Sequence, residues 1–237
     1  MKRRKFVLSA GISALAGAAS TSLTKPAHSA KTRELSMVTS WPKDFPGLGT
    51  SAARLAARIT SMSGGNLKIN VYERGSFIES SDLFTAVSDG VADMYHSIEY
   101  YWNRNSEALN FFASVPFGLT ATEQSAWINF GGGQELWDEL GKKFGLKPFL
   151  AGNTGVQMGG WFNKKIDSVD DLQQLRIRMP GLGKKVLERI GAQPISLPSS
   201  KIFSAIRSNK LDATEWFGPW FDREFGLHKV TKYYYYP

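Results

Sequence analysis

The chain has 237 residues, 29 Lys and Arg against 21 Asp and Glu, and no cysteine, which excludes disulfides, thiolate metal centres and cysteine nucleophiles. Hydrophobic residues at 42% and charged residues at 21% describe a globular chain, and the 13% aromatics, with seven Trp, exceed ordinary needs and belong in a core, an interface or around a ligand. The net charge of +8 is no nucleic-acid signature: five basic residues and no acid fall within 1–30, and the remaining 24 bases face 21 acids, a +3 that an ordinary solvated surface carries.

The first thirty residues read as an export signal. Lys2, Arg3, Arg4 and Lys5 precede a short stretch of small and apolar residues over 7–19, and Thr24-Lys25-Pro26-Ala27-His28-Ser29-Ala30 follows as a cleavage zone. The apolar stretch is too short, and too rich in Ala, Gly and Ser, to span a bilayer. Arg3-Arg4-x-Phe6 resembles a twin-arginine signal; a general secretory signal with two incidental arginines is the alternative. Cleavage after Ser29 or Ala30 places the mature start near Lys31, in the periplasm.

Strand 35–41 opens the mature chain, and Pro42, Pro46 and Gly47 make the next segment a loop. Apolar residues at helical spacing predict a helix over 48–62, stopped by Ser63-Gly64-Gly65. Alternation predicts a strand over 67–72. A helix over 83–88, capped by Ser81-Asp82, and a strand over 91–98 follow. Residues 120–143 read as helical with a break at Gly131-Gly132-Gly133. Further strands are expected over 146–150, 156–162, 175–179, 211–217 and 233–236. A helical turn is expected over 170–172 and helices over 181–190 and 200–208. The alternation of strands and helices defines an α/β class with largely parallel sheets. No dinucleotide fingerprint, P-loop, zinc-protease or nucleophile-elbow motif is present. The three His are too scattered for a His-rich metal site.

Arg176 and Arg178 share one face of their strand by its two-residue period, and the carboxyl end of such a strand is where α/β sheets bind ligands. The bland alternative for Arg178 is a surface ion pair with Asp170 or Glu188; Arg176 is assigned a structural surface role. Glu215, followed directly by Trp216 and Phe217, is an unusual acid for a solvated strand end.

Several segments together carry a resemblance. They are Phe117-Gly118-Leu119 with Gln124-x-Ala126-Trp127; Gly152-Asn153-Thr154-Gly155-Val156-Gln157-Met158-Gly159-Gly160-Trp161-Phe162; Asp171-Leu172-x-x-Leu175-Arg176-Ile177-Arg178-Met179; and Leu211-Asp212-Ala213-Thr214-Glu215-Trp216-x-Gly218-Pro219, with Lys232 and the tyrosine run to Pro237. The chain resembles the solute receptors of tripartite ATP-independent periplasmic (TRAP) transporters over 35–237, and most of all the branch that takes 2-oxo monocarboxylates such as pyruvate, or lactate, with a metal ion. The resemblance implies a two-lobed periplasmic-binding-protein-like fold with a hinged central cleft. Lobe one would hold 31–153, lobe two 154–216, and 217–237 would return to lobe one. Family members continue well past the tyrosine run, so a truncated gene product or fragment, with its second part incomplete, is expected.

The resemblance also implies roles. Arg178 would clamp the ligand carboxylate through two parallel N–H···O bonds. The Gln157 amide oxygen, the Glu215 carboxylate and the Trp216 carbonyl would hold a cation, with the Trp216 indole walling the pocket. Hard oxygen donors suit Na⁺ or Ca²⁺. Counting Arg178, Glu215 and a monocarboxylate leaves one negative charge, which favours Na⁺, with Ca²⁺ the alternative. Tyr100, Tyr101, Asn153 and Trp41 are the further cleft candidates, against an ordinary aromatic core. Leu197-Pro198-Ser199-Ser200 stands where related receptors often carry glycines, which bears on the ligand's side-chain length. Membrane permease subunits are the implied partners, with pairing of two copies a further option. A sensory receptor on the same fold and a nonfunctional fragment are the alternatives; an enzyme is disfavoured for want of a nucleophile–base pair.

Overall fold

β1 (Arg33–Thr39) is the central strand of a three-stranded parallel sheet ordered β2-β1-β3 in the computed structural model, which describes residues 31–236. The expected export signal over 1–30 lies outside the described residues. α1 (Leu48–Met62) returns the chain to β2 (Leu67–Tyr72), which pairs with β1 in the register Leu35↔Ile69. Ala52 and Ala56 let α1 lie close on Met37 and Ile69. α2 (Leu83–Ser88) precedes β3 (Met94–His96). β3 is shorter than the expected strand. Asp93 spends its carboxylate on the Ser36 backbone N–H and hydroxyl, both at 2.8 Å, and a 3-10 turn begins at Glu99. A second 3-10 turn, Glu107–Phe112, was not foreseen.

α3 (Ala121–Phe130) starts on a capping box, Thr120 and Glu123 bonding each other's backbone N–H. Gly132, at φ 85°, makes the turn into α4 (Gly133–Lys142), so the triple glycine is the helix break its sequence predicts. The expected strand over 146–150 is absent, and only the end of 156–162 is a strand, β4 (Gly160–Phe162). Pro148 lacks a ladder N–H, and four glycines between 152 and 160 dilute the rest.

β5 (Arg176–Arg178), α5 (Gly181–Arg189), β6 (Gln193–Ile195), α6 (Ser199–Arg207) and β7 (Ala213–Thr214) build the second sheet. α7 (Pro219–Phe225) and β8 (Tyr233–Tyr235) complete the described chain. The order is β6-β5-β7-β4-β8. β5 pairs parallel with β6 and β7, whereas β4 pairs antiparallel with β7 and β8, so the expectation of largely parallel sheets holds fully only for the first sheet. β6 and α7 were not foreseen. The former contains Pro194; the latter was hidden by the strand assigned up to 217, yet it carries ordinary punctuation, Pro219 at its first turn and Gly226 at φ 84° after its last.

The expected return of 217–237 to the first lobe is not what the chain does throughout. α7 meets the first part, with Phe221 stacked on Phe45 at 6.4 Å, but β8 joins the edge of the second sheet. Trp41 and Phe45 pack in one cluster with Ile202, Ile206, Trp216 and Phe221. Arg74, just after β2, donates to the Ser199 hydroxyl at 2.5 Å. Among the described residues no helix is long and apolar enough to cross a membrane.

Candidate functional site

The parallel register of β5 and β7 sets Arg178 opposite Thr214 where both strands end. Glu215 follows, its N–H donating to the Arg178 carbonyl at 3.0 Å. The side chains then meet: Arg178 Nη1 donates to Glu215 Oε2 at 2.8 Å and to the Glu215 carbonyl at 3.0 Å. Arg178 is 2% exposed and Glu215 7%. The Arg178 partner is therefore neither Asp170 nor Glu188. At the other end of β5, Arg176 forms a half-exposed forked pair with Asp212, at 2.9 and 2.6 Å, the structural role assigned to it.

The guanidinium carbon of Arg178 lies 5.2 Å from the Trp216 ring centroid, within cation–π range, and Trp216 stacks on Phe225 at 4.7 Å. The Tyr100 and Tyr101 hydroxyls lie beside the ion pair, and the two rings meet edge to face at 4.8 Å. Gly181 makes this approach feasible: at φ 61°, a Cβ there would come within 3.3 Å of both Tyr100 Cβ and Asn110 Oδ1.

Burial opposes the Arg178 charge, but Glu215 and the two tyrosine hydroxyls outweigh it and hold the guanidinium above its ordinary value. Burial pushes Glu215 up to about 7 against the lowering by Arg178, with Asp222 adding to the rise. The guanidinium thus stays charged and the carboxylate is the half that titrates. Burial also raises Tyr100 and Tyr101, which remain neutral donors. Two buried donors, Arg178 Nε and Trp216 Nε1, have no hydrogen-bond partner among the described residues. Unpaired buried donors each cost about 1–3 kcal/mol, so such a pair calls for an acceptor.

The other predicted residues divide. Trp41 is buried in the Trp216 cluster, and its Nε1 donates to His96 Nδ1 at 2.7 Å. Tyr101 packs against the same cluster. Gln157 is half-buried. Its amide NH₂ makes only a long 3.4 Å bond to Thr154, while the next residue, Met158, donates its N–H to the Phe217 carbonyl at 2.9 Å. That bond carries Gln157 alongside Phe217-Gly218. Asn153 is exposed, its Oδ1 taken by the Gly155 N–H at 2.7 Å, and is not brought to Arg178.

Among the described residues no cluster of three or more His, Asp and Glu converges. The candidate cation set is of another kind, with one carboxylate and two neutral oxygens. Glu215 Oε1, Gln157 Oε1 and the Trp216 carbonyl accept no hydrogen bond from the described residues. These are hard donors with lone pairs to spare, so the set fits Na⁺ or Ca²⁺. Sequence reasoning missed Asp222, which is buried at 1% and accepts from Trp161, Tyr234 and Phe217. An acid three residues after Pro219 and flanked by Phe221 was its only signal. A concavity of about 840 Å³ lies elsewhere, lined by Phe111, Phe117, Leu119, Trp127 and Leu136 among others, and includes none of the predicted site residues.

The profile of the bacterial extracellular solute-binding proteins, family 7, matches residues 37–237. The monocarboxylate 2-oxoacid-binding periplasmic protein of Nostoc sp. is 38% identical over 241 residues, covering 100% of this chain and 66% of that protein. A TRAP periplasmic solute binding protein from Pseudoalteromonas atlantica, solved with sodium and pyruvate, superposes with a TM-score of 0.84 at 40% identity, covering 87% of this chain and 63% of the other. One from Colwellia psychrerythraea, solved with calcium and pyruvate, gives 0.84 at 39% identity over the same shares, 87% and 63%. The chain thus spans slightly less than two thirds of the length of these relatives.

Proposed function

The chain belongs to the bacterial extracellular solute-binding proteins, family 7, and from that premise we propose that it receives a small 2-oxo monocarboxylate such as pyruvate in the periplasm, through an Arg178 clamp and a bridging cation, for delivery to a TRAP permease in the membrane. The observation that carries this reading is the half-engaged guanidinium of Arg178. Glu215 fixes it through Nη1, and the Nε donor has no partner among the described residues. A carboxylate on that edge satisfies the fork geometry of arginine, and the unpartnered Trp216 N–H is a further donor for the ligand. Tyr101 and Tyr100 line the site as neutral hydroxyls suited to a keto oxygen.

Gln157, Glu215 and the Trp216 carbonyl would hold the cation, which supplies positive charge against the two carboxylates. The relatives above, solved with pyruvate and either sodium or calcium, support a cation bound together with a 2-oxo acid. Residues 31–153 and 154–216 would form the halves that close over the ligand, and export would follow the twin-arginine route. No covalent chemistry is involved.

Calorimetric titration of pyruvate, 2-oxobutyrate and lactate into the chain, first stripped of cations and then loaded with Na⁺ or Ca²⁺, tests the proposal. Cation and acid should each tighten the other's binding by the same factor, because the coupling is reciprocal. Equal affinity with and without cation removes the bridge. Tight binding of a dicarboxylate or a sugar, with no response to the three acids, removes the ligand class.

A further inference from the structure

Asp222 is not among the residues that would touch the ligand or the cation, yet it is buried at 1% exposed, among the most fully buried charged residues described. Its Oδ2 accepts from Trp161 Nε1 and from the Tyr234 hydroxyl, each at 2.7 Å, and its Oδ1 accepts from the Phe217 N–H at 3.0 Å. Trp161 and Tyr234 stack on each other at 3.9 Å with their planes 15° apart. The carboxylate is therefore held from β4, β8 and the segment leading into α7. It accepts three bonds and donates none, the pattern of an ionised carboxylate.

The Phe217 N–H belongs to the peptide unit whose carbonyl is that of Trp216. That unit is planar and trans, so its C=O points away from the direction of its N–H. Fixing the N–H on Asp222 therefore aims the Trp216 carbonyl away from Asp222, and that carbonyl accepts no hydrogen bond from the described residues. We propose that Asp222 is the positioning residue of the cation site: it aims the Trp216 carbonyl and places a second buried negative charge behind it, biasing the site toward a divalent cation. The inference rests on the cation reading above. Two buried carboxylates, Glu215 and Asp222, and a bound monocarboxylate stand against the single Arg178, leaving two negative charges. Ca²⁺ cancels them and Na⁺ leaves one. The tyrosine run thereby acquires a role, since Tyr234 is one of the two side chains that clamp the carboxylate.

The test titrates Ca²⁺ and Na⁺ by calorimetry into the full chain, into Asp222→Asn, which keeps shape and loses charge, and into Tyr234→Phe, which keeps charge and loosens the clamp. Asp222→Asn should lose about 10–100-fold in Ca²⁺ affinity, as outer-shell substitutions do, and less in Na⁺ affinity, so the Ca²⁺/Na⁺ ratio falls. Tyr234→Phe should weaken both cations modestly at an unchanged ratio. In the cation-free protein, the Phe217 amide proton should exchange faster in both variants, which reads the positioning without any metal. If the unsubstituted chain binds neither cation, the cation reading fails and takes this inference with it. If it binds Ca²⁺ and Asp222→Asn binds both cations as well as before, the inference alone is overturned. Should Asp222→Asn fail to fold, Tyr234→Phe decides: unchanged cation affinity with unchanged Phe217 exchange overturns the role of Asp222.

Discussion

Arg178 and Glu215 answer to different physics although they share one ion pair. Removing the arginine strands a buried carboxylate, which costs about 3–5 kcal/mol in comparable pairs. Arg178→Ala should therefore lower urea stability by that order and abolish pyruvate binding. Arg178→Lys should restore much of the stability but not the binding, since a point charge cannot make the fork. Near-normal pyruvate affinity of the Lys variant by calorimetry would take Arg178 out of the site. Glu215 sets a pH dependence of definite sign. Its value of about 7 in the folded chain lies above the ordinary 4.5. Folding favours its protonated form, so the stability it contributes is complete below about pH 4.5 and is lost as pH rises through about 7. Urea melts of the cation-free protein should weaken across that window, and Glu215→Gln should flatten the trend. An unchanged slope in the Gln variant would assign the trend to another group.

β4 is the element on which both the candidate site and the Asp222 anchor depend. It pairs with β7, which leads into Glu215, and presents Trp161 to Asp222. Gly160 at its start has φ 135°, and a Cβ there would lie 2.9 Å from the Thr214 carbonyl oxygen. Backbone cannot retreat as a flexible side chain does. Gly160→Ala should cost at least about 1–3 kcal/mol of strain and also weaken cation binding, because β4 must move off β7. Chemical denaturation and Ca²⁺ calorimetry on the same preparation check both effects. A variant with unaltered stability would mean that the strand adjusts freely.

At the scale of the whole molecule the two sheets are joined by a shared apolar cluster and by polar contacts around it. Trp41 and Phe45 reach the α6–α7 cluster, Arg74 reaches Ser199, and Lys185 reaches Glu107 at 2.5 Å. The proposed export by the twin-arginine route is tested on the intact chain. Replacing both Arg3 and Arg4 by Lys should leave precursor in the cytoplasm; normal periplasmic levels of the double variant would indicate the general secretory route. The apolar concavity around Phe117 and Trp127 is a separate feature from the charged site.

Local pattern was enough for α1, α5 and α6, for β1, β2 and β5, and for the triple-glycine break, because hydrophobic period and turn chemistry act within one or two turns of chain. The two-residue period likewise put Arg176 and Arg178 on one face and separated a surface end from a site end. Pairing lies beyond that reach. Which acid meets Arg178 depended on strand order, which brings Glu215 across 37 positions while Asp170, much nearer in sequence, stays away. The apolar run at 146–150 resembled a strand, but a strand exists only where a neighbour supplies a ladder, and none does there. The antiparallel seating of β4, the addition of β8 to its edge and the convergence of Trp161, Phe217 and Tyr234 on Asp222 are consequences of the assembled sheet. The strand period put Arg178 at the carboxyl end of its strand, and the resemblance supplied the expectation that it clamps a carboxylate. Only the tertiary structure showed which carboxylate holds it in place and which buried charge stands behind the Trp216 carbonyl.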